Sequence, residues 1–157
     1  MAQASIVGEL AYEIDSLYVG AEMILSRRFR EAPLDGLLLE ATLVHFRVVW
    51  DFFYRPKTKT TDVVVRDYVP NWTAPNPPDR LRKIRKWLNV MLAHLTTHRI
   101  DPHYKAGEIT EDDVSLIREH TKALFSAFVS SLFATDQSGV LANPLAHKFT
   151  RYQTLSR

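Results

Sequence analysis

No cysteine occurs anywhere in the chain, and this one absence excludes a disulfide framework, a thiolate metal site and a cysteine nucleophile. Glycine is scarce, at five residues in 157. Neither G-x-x-x-x-G-K-[ST] nor G-x-G-x-x-G occurs, so no glycine-rich phosphate cradle is expected. Extended β-branched runs are almost missing: Val63–Val65 is the only run of three, with Asp62 and Arg66 on either side. Asp62 is therefore expected to cap a short turn of helix there rather than to precede a strand. Long apolar runs are also lacking. The most apolar stretch, 34–54, is broken by Asp35, Glu40, His45, Arg47 and Asp51, which is too polar for a membrane span. The first residues show no basic region followed by an apolar run, so no secretory signal and a cytoplasmic location are expected.

What is present is an ordinary globular composition, 46% hydrophobic and 24% charged, enough for one core and one domain over residues 1–157. Helical periodicity dominates. Leu10, Ile14, Leu17, Ala21 and Ile24 recur at steps of three and four in a first helix. A second is expected from about Asp35 to Tyr54, after Pro33. A third begins after Pro77 and Pro78, with Asp79 as N-cap, and runs to about Arg99 on a stripe of Leu81, Ile84, Leu88, Met91 and Leu95. A fourth starts at Thr110, whose hydroxyl can cap while Asp113 reaches back. Its apolar face is Val114, Ile117, Thr121, Leu124, Phe128 and Leu132. Pro70, Pro75, Pro77 and Pro78 make the stretch between the second and third helices a stiff connector. The expected fold is all-α: an antiparallel bundle of four main helices, that connector, and a short C-terminal helix or arm over 139–157.

The second helix is apolar on two faces, Leu38, Thr42, Val49 and Phe52 on one and Leu39, Leu43, Phe46, Trp50 and Phe53 on the other. This predicts a central, nearly enclosed helix. Glu40, Arg47 and Asp51 then share a narrow polar stripe, and charges on a buried helix cost several kcal/mol each unless paired.

Three constellations could carry chemistry, the first two of them by answering that stripe. His94 and His98 are four residues apart and so share a helix face. With His45 they would supply three imidazoles and an open position for one divalent transition metal, the arrangement that DinB/YfiT-like bundles resemble. A metal-free alternative gathers His94, Arg99, Arg47, Asp51 and Asn89 into one cleft, where an imidazole moves a proton and guanidinium groups hold a phosphate. The plainer alternative pairs Arg47 with Asp51 or Glu40 as an internal salt-bridge network. The third constellation is Arg80, Arg82, Lys83, Arg85 and Lys86, five cations in seven residues at the start of the third helix. The helix dipole disfavours cations there. Phosphates of RNA or another polyanion would offset this, with Trp72 and Trp87 available to stack bases. A solvated face is the competing reading.

Leu43–Tyr54, Asp62–Trp72 and Leu88–Arg99 together resemble a group of small bacterial proteins of uncharacterised function, similar to HEPN-type helical bundles, across residues 35–100. The resemblance implies a homodimer and, in many members, metal-independent RNA cleavage by an arginine four to six residues ahead of a histidine. No arginine here stands at that distance; Arg85 precedes His94 with eight residues between. What remains implied is the non-catalytic behaviour of such bundles, binding a nucleic acid, a nucleotide or a partner protein without a cofactor. A metal-dependent enzyme and a purely structural interaction module are the alternatives. The charge distribution favours the middle segment as the functional one: residues 47–99 carry a net +7, whereas 1–46 and 100–138 each carry −4.

Overall fold

The computed structural model describes residues 2–26, 34–91, 109–135 and 145. They form four α-helices: α1 (Ala2–Leu25), α2 (Leu34–Tyr54), α3 (Asp79–Met91) and α4 (Glu111–Thr135). A single 3-10 turn, Val65–Asp67, lies between α2 and α3, and no strand occurs among the described residues. The fold is all-α.

Each stripe legible in the sequence points inward. Leu10, Ile14, Leu17 and Ala21 of α1 are buried, as are Leu81, Ile84 and Leu88 of α3 and all six expected positions of α4. Side-chain pairs between helices give their directions. Glu13 meets His45, and seven residues further along α1 Gly20 abuts Thr42. Rising numbers on α1 thus match falling numbers on α2, and the two are antiparallel. Phe128 of α4 is the hub of the core. Its ring stands edge-on to Phe52 at 5.6 Å, Phe53 at 5.7 Å and Trp72 at 6.2 Å, the geometry that aromatic quadrupoles favour.

The capping box at α4 forms as expected. The Thr110 amide donates to Asp113 Oδ2 at 3.0 Å, and the Asp113 amide donates to Thr110 Oγ1 at 3.2 Å. Three local expectations are revised. First, α3 starts from the Pro78 carbonyl, which accepts from the Leu81 amide at 3.0 Å; the Asp79 side chain is 90% exposed in the first turn and caps nothing. Second, Asp62 does not cap the short helical turn. Its Oδ2 gathers the amides of Thr58 and Lys59 and the Thr58 hydroxyl in the preceding turn. Asp67 takes the capping role, accepting from the Val64 amide at 3.0 Å. Third, α2 is not enclosed: Leu37, Val44 and Val48 are exposed. Its two buried faces merge into one, and a further apolar line faces outward. The connector carries no regular structure between Trp72 and Pro78, and it delivers the Trp72 indole into the core. The expected extension of α3 to Arg99, with Leu95, and the arm over 139–157 lie outside the described residues, apart from buried Leu145.

Candidate functional site

The five cations of the 80–86 run separate into two groups once the helices pack. A helix turns about 100° per residue, so positions 80 and 85 fall on opposite flanks of the buried 81–84–88 line. Arg80 turns toward α4, donating from Nε to Asp113 Oδ1 at 2.7 Å and from Nη2 to Asp113 Oδ2 at 2.6 Å. This bidentate fork, helped by the Thr110 bonds and opposed by burial, holds the Asp113 carboxyl down at about 2. Arg85 turns toward α2, donating to Asp51 Oδ1 at 2.5 Å and also to Asn89 Oδ1. Both arginines make ion pairs to neighbouring helices, Arg85 largely buried and Arg80 still 42% exposed. They explain how the polar stripe of α2 is compensated: Asp51 is answered by Arg85 of α3, not by Arg47. Arg47 and Glu40 make no ion pair among the described residues.

Arg82, Lys83 and Lys86 are exposed, as Arg80 also is despite its ion pair. Arg82 is held differently from the other arginines. It donates from Nε to the Pro77 carbonyl at 3.2 Å and from Nη2 to the same oxygen at 3.1 Å and to Asn76 Oδ1. These acceptors are neutral, so they fix the guanidinium without cancelling its charge. The nearest carboxylate, Asp79, stands 3.8 Å away and is almost fully exposed, a separation at which water screens most of the attraction. Arg82 is 47% exposed, against 12% for Arg85.

Arg82 also walls a shallow pocket of about 360 Å³ between α2 and the connector, with Trp50, Tyr54, Ala74, Pro75, Asn76 and Pro77. Trp50 and Tyr54, one helical turn apart, place their ring centroids 4.5 Å apart at a 35° tilt. Beneath them Tyr54 is tied to two other elements. Its hydroxyl donates to the Pro75 carbonyl at 2.7 Å and contacts His120 Nε2 at 2.8 Å. Because that hydroxyl's one proton goes to Pro75, His120 must donate from Nε2, which assigns the neutral tautomer. Burial pushes the His120 imidazole below its ordinary value and the Tyr54 phenol up to about 12, with the Arg82 charge pulling Tyr54 weakly the other way.

The remaining sequence-predicted residues are dispersed. His94, His98 and Arg99 lie outside the described residues. His45 is half-buried, with Nδ1 2.7 Å from Glu13 Oε2 and its ring edge-on to Tyr12; no group of three potential metal ligands surrounds it among the described residues. Asn89 is exposed and bound to Arg85. Trp72 is buried in the core, and Trp87 and Trp50 are both partly buried and pack against it. Trp50 is the one that lines the pocket beside Arg82. His120 was recognisable in principle: with Ile117 and Leu124 it continues the buried line at steps of three and four. The pocket of Trp50, Asn76 and Pro77 had no such signal, because helix and connector meet only in the folded chain. No protein family, characterised protein or solved structure matches this chain.

Proposed function

We propose that this protein is a non-catalytic binding module for single-stranded RNA, which it holds along the exposed side of α3 and the adjoining aromatic pocket. The observation that carries this is Arg82: a half-exposed guanidinium fixed by neutral oxygens, with only the solvent-exposed Asp79 at 3.8 Å as a weak ion-pair partner, on the wall of a pocket it shares with Trp50 and Tyr54. A base stacked in the pocket would leave its phosphate beside Arg82, and Lys83 and Lys86 continue the positive side for the next phosphates. This is the chemistry expected of a HEPN-like bundle without the arginine–histidine motif. The internal pairing of Asp51, Asn89, Arg80 and Arg85 favours binding over cleavage, because those groups already have partners.

Fluorescence anisotropy with a labelled single-stranded RNA of about ten nucleotides tests it. Three phosphate contacts predict that log K falls against log salt with a slope of about −2, at about 0.7 per phosphate for single strands. Arg82→Ala/Lys83→Ala/Lys86→Ala should flatten that slope. Trp50→Ala should weaken binding by about 1–3 kcal/mol at every salt concentration, the range for base–aromatic stacking. RNA binding that is absent at low salt, or indifferent to salt, overturns the proposal.

A further inference from the structure

The side chains around the pocket beside Arg82 divide unevenly into donors and acceptors. Tyr54 uses both capacities of its hydroxyl, giving its proton to the Pro75 carbonyl and receiving His120 Nε2. Proline has no backbone N–H to give, and the Pro75 and Pro77 carbonyls are engaged by Tyr54 and by Arg82. The Trp50 indole and the Arg82 guanidinium can only donate. Asn76 is the one lining side chain able to present either an oxygen or an NH2 group to a ligand.

Arg82 decides which it presents. A guanidinium has no acceptor, so the Asn76 atom that faces its Nη2 is the carbonyl oxygen Oδ1. That Nη2 is itself held, since it also donates to the Pro77 carbonyl at 3.1 Å, beside the 3.2 Å bond from Nε. With its oxygen committed, the amide has the two N–H groups of Nδ2 left for a ligand. The side chains of the pocket therefore offer donors and no spare acceptor.

A base held there pairs best through an edge made of acceptors alone, because an amine brought against these donors leaves both sides without a partner. The bases differ on this point. Guanine carries O6 and N7 side by side, with no donor between them, whereas adenine sets its N6 amine beside N7 and cytosine exposes its N4 amine. Resting on the single-stranded RNA reading above, we propose that the pocket selects guanine, whose O6/N7 edge accepts from Asn76 Nδ2. Asn76 is the specificity-determining residue, and Arg82 is the positioning residue that fixes its amide.

Fluorescence anisotropy at low salt, with labelled uridine oligomers of about ten nucleotides carrying different purines at internal positions, tests this on the full chain. Guanosine should bind about tenfold more tightly than adenosine. Inosine keeps O6 and N7 and should match guanosine; 7-deazaguanosine lacks N7 and should fall toward adenosine. Asn76→Ala should bring the guanosine-to-adenosine ratio close to one. Asn76→Asp, which has only acceptors, should turn it toward adenosine. Arg82→Ala frees the amide to turn and should lower the same ratio. Both positions are exposed, and circular dichroism verifies that each variant is folded. Equal affinity for all these RNAs overturns the guanine assignment and leaves salt-dependent RNA binding standing, whereas no binding of any of them overturns both. A ratio that survives Asn76→Ala or Arg82→Ala, or inosine that binds no better than adenosine, also overturns the assignment.

Discussion

Tyr54 shows how a single side chain can join three separate elements. It sits at the end of α2, donates to the connector at Pro75, accepts from His120 on α4, and presents its ring beside Trp50. The imidazole lies nearly parallel to the phenol, 11° apart in plane, so stacking and hydrogen bonding act together. Tyr54→Phe keeps the ring and removes the link, leaving the buried Nε2–H of His120 without a partner. Urea denaturation should show a loss of roughly 1–3 kcal/mol, the cost of orphaning a buried donor. His120→Phe in that background should recover part of it, because an apolar ring asks for no partner. A second contribution at this scale is Asp113, which closes the α4 capping box and takes the Arg80 fork with the same carboxylate, so one residue fixes both the start of α4 and its distance from α3.

Between elements, the closest approach is at α1 and α2. A Cβ added at Gly20 would collide with the Thr42 hydroxyl, which is itself fixed by donating to the Leu38 carbonyl at 2.8 Å. Alanine improves intrinsic helix propensity by about 1 kcal/mol over glycine, but overpacking a fixed neighbour costs about 1–3 kcal/mol. Gly20→Ala should therefore be neutral to destabilising by about 2 kcal/mol in thermal or chemical denaturation. Gly20→Ala/Thr42→Ala should be more stable than the sum of the single changes predicts, because removing the hydroxyl frees the space. On α3 the division is by flank: Arg80 and Arg85 are spent on neighbouring helices, and Arg82, Lys83 and Lys86 are left outward.

For the whole molecule, these pairings set how stability responds to pH. Burial lowers the His120 value in the folded state, so the unfolded chain takes up that proton first as pH falls. The contribution is complete above the ordinary histidine value of about 6.5 and declines below it. Asp113 is held at about 2 against an ordinary 3.8, so its contribution is complete above 3.8 and is lost as pH drops toward 2. Asp62 and Asp67 are also held low, by hydrogen bonds from Thr58 and from Lys57, and add to the lower step. Melting temperature should therefore be level between about pH 7 and 9, fall first below about 6.5 and fall again below about 4; above about 10 it should also fall, because burial raises the Tyr54 phenol in the folded state. His120→Gln should remove the first step and Asp113→Asn should shrink the second. No helix among the described residues is long and apolar enough to cross a membrane.

The sequence alone determined the helices, their inward faces and the α4 capping box. Those rest on periodicity and short-range hydrogen bonds, both written in residues a few positions apart. It also marked the 80–86 run and the stripe at 47 and 51 as the places where charge would matter. The tertiary structure decided which partner each charge meets: Asp51 with Arg85 across thirty-four residues, Asp113 with Arg80 across thirty-three. It decided too that α2, apolar on nearly every side, leaves one of those sides bare, since hydrophobic spacing records what a face is made of and not what covers it. Trp72 leaves its expected place as a stacking face for the same reason. The connector's path carries its indole into the core and opens a pocket beside Trp50, and no local pattern encodes that path.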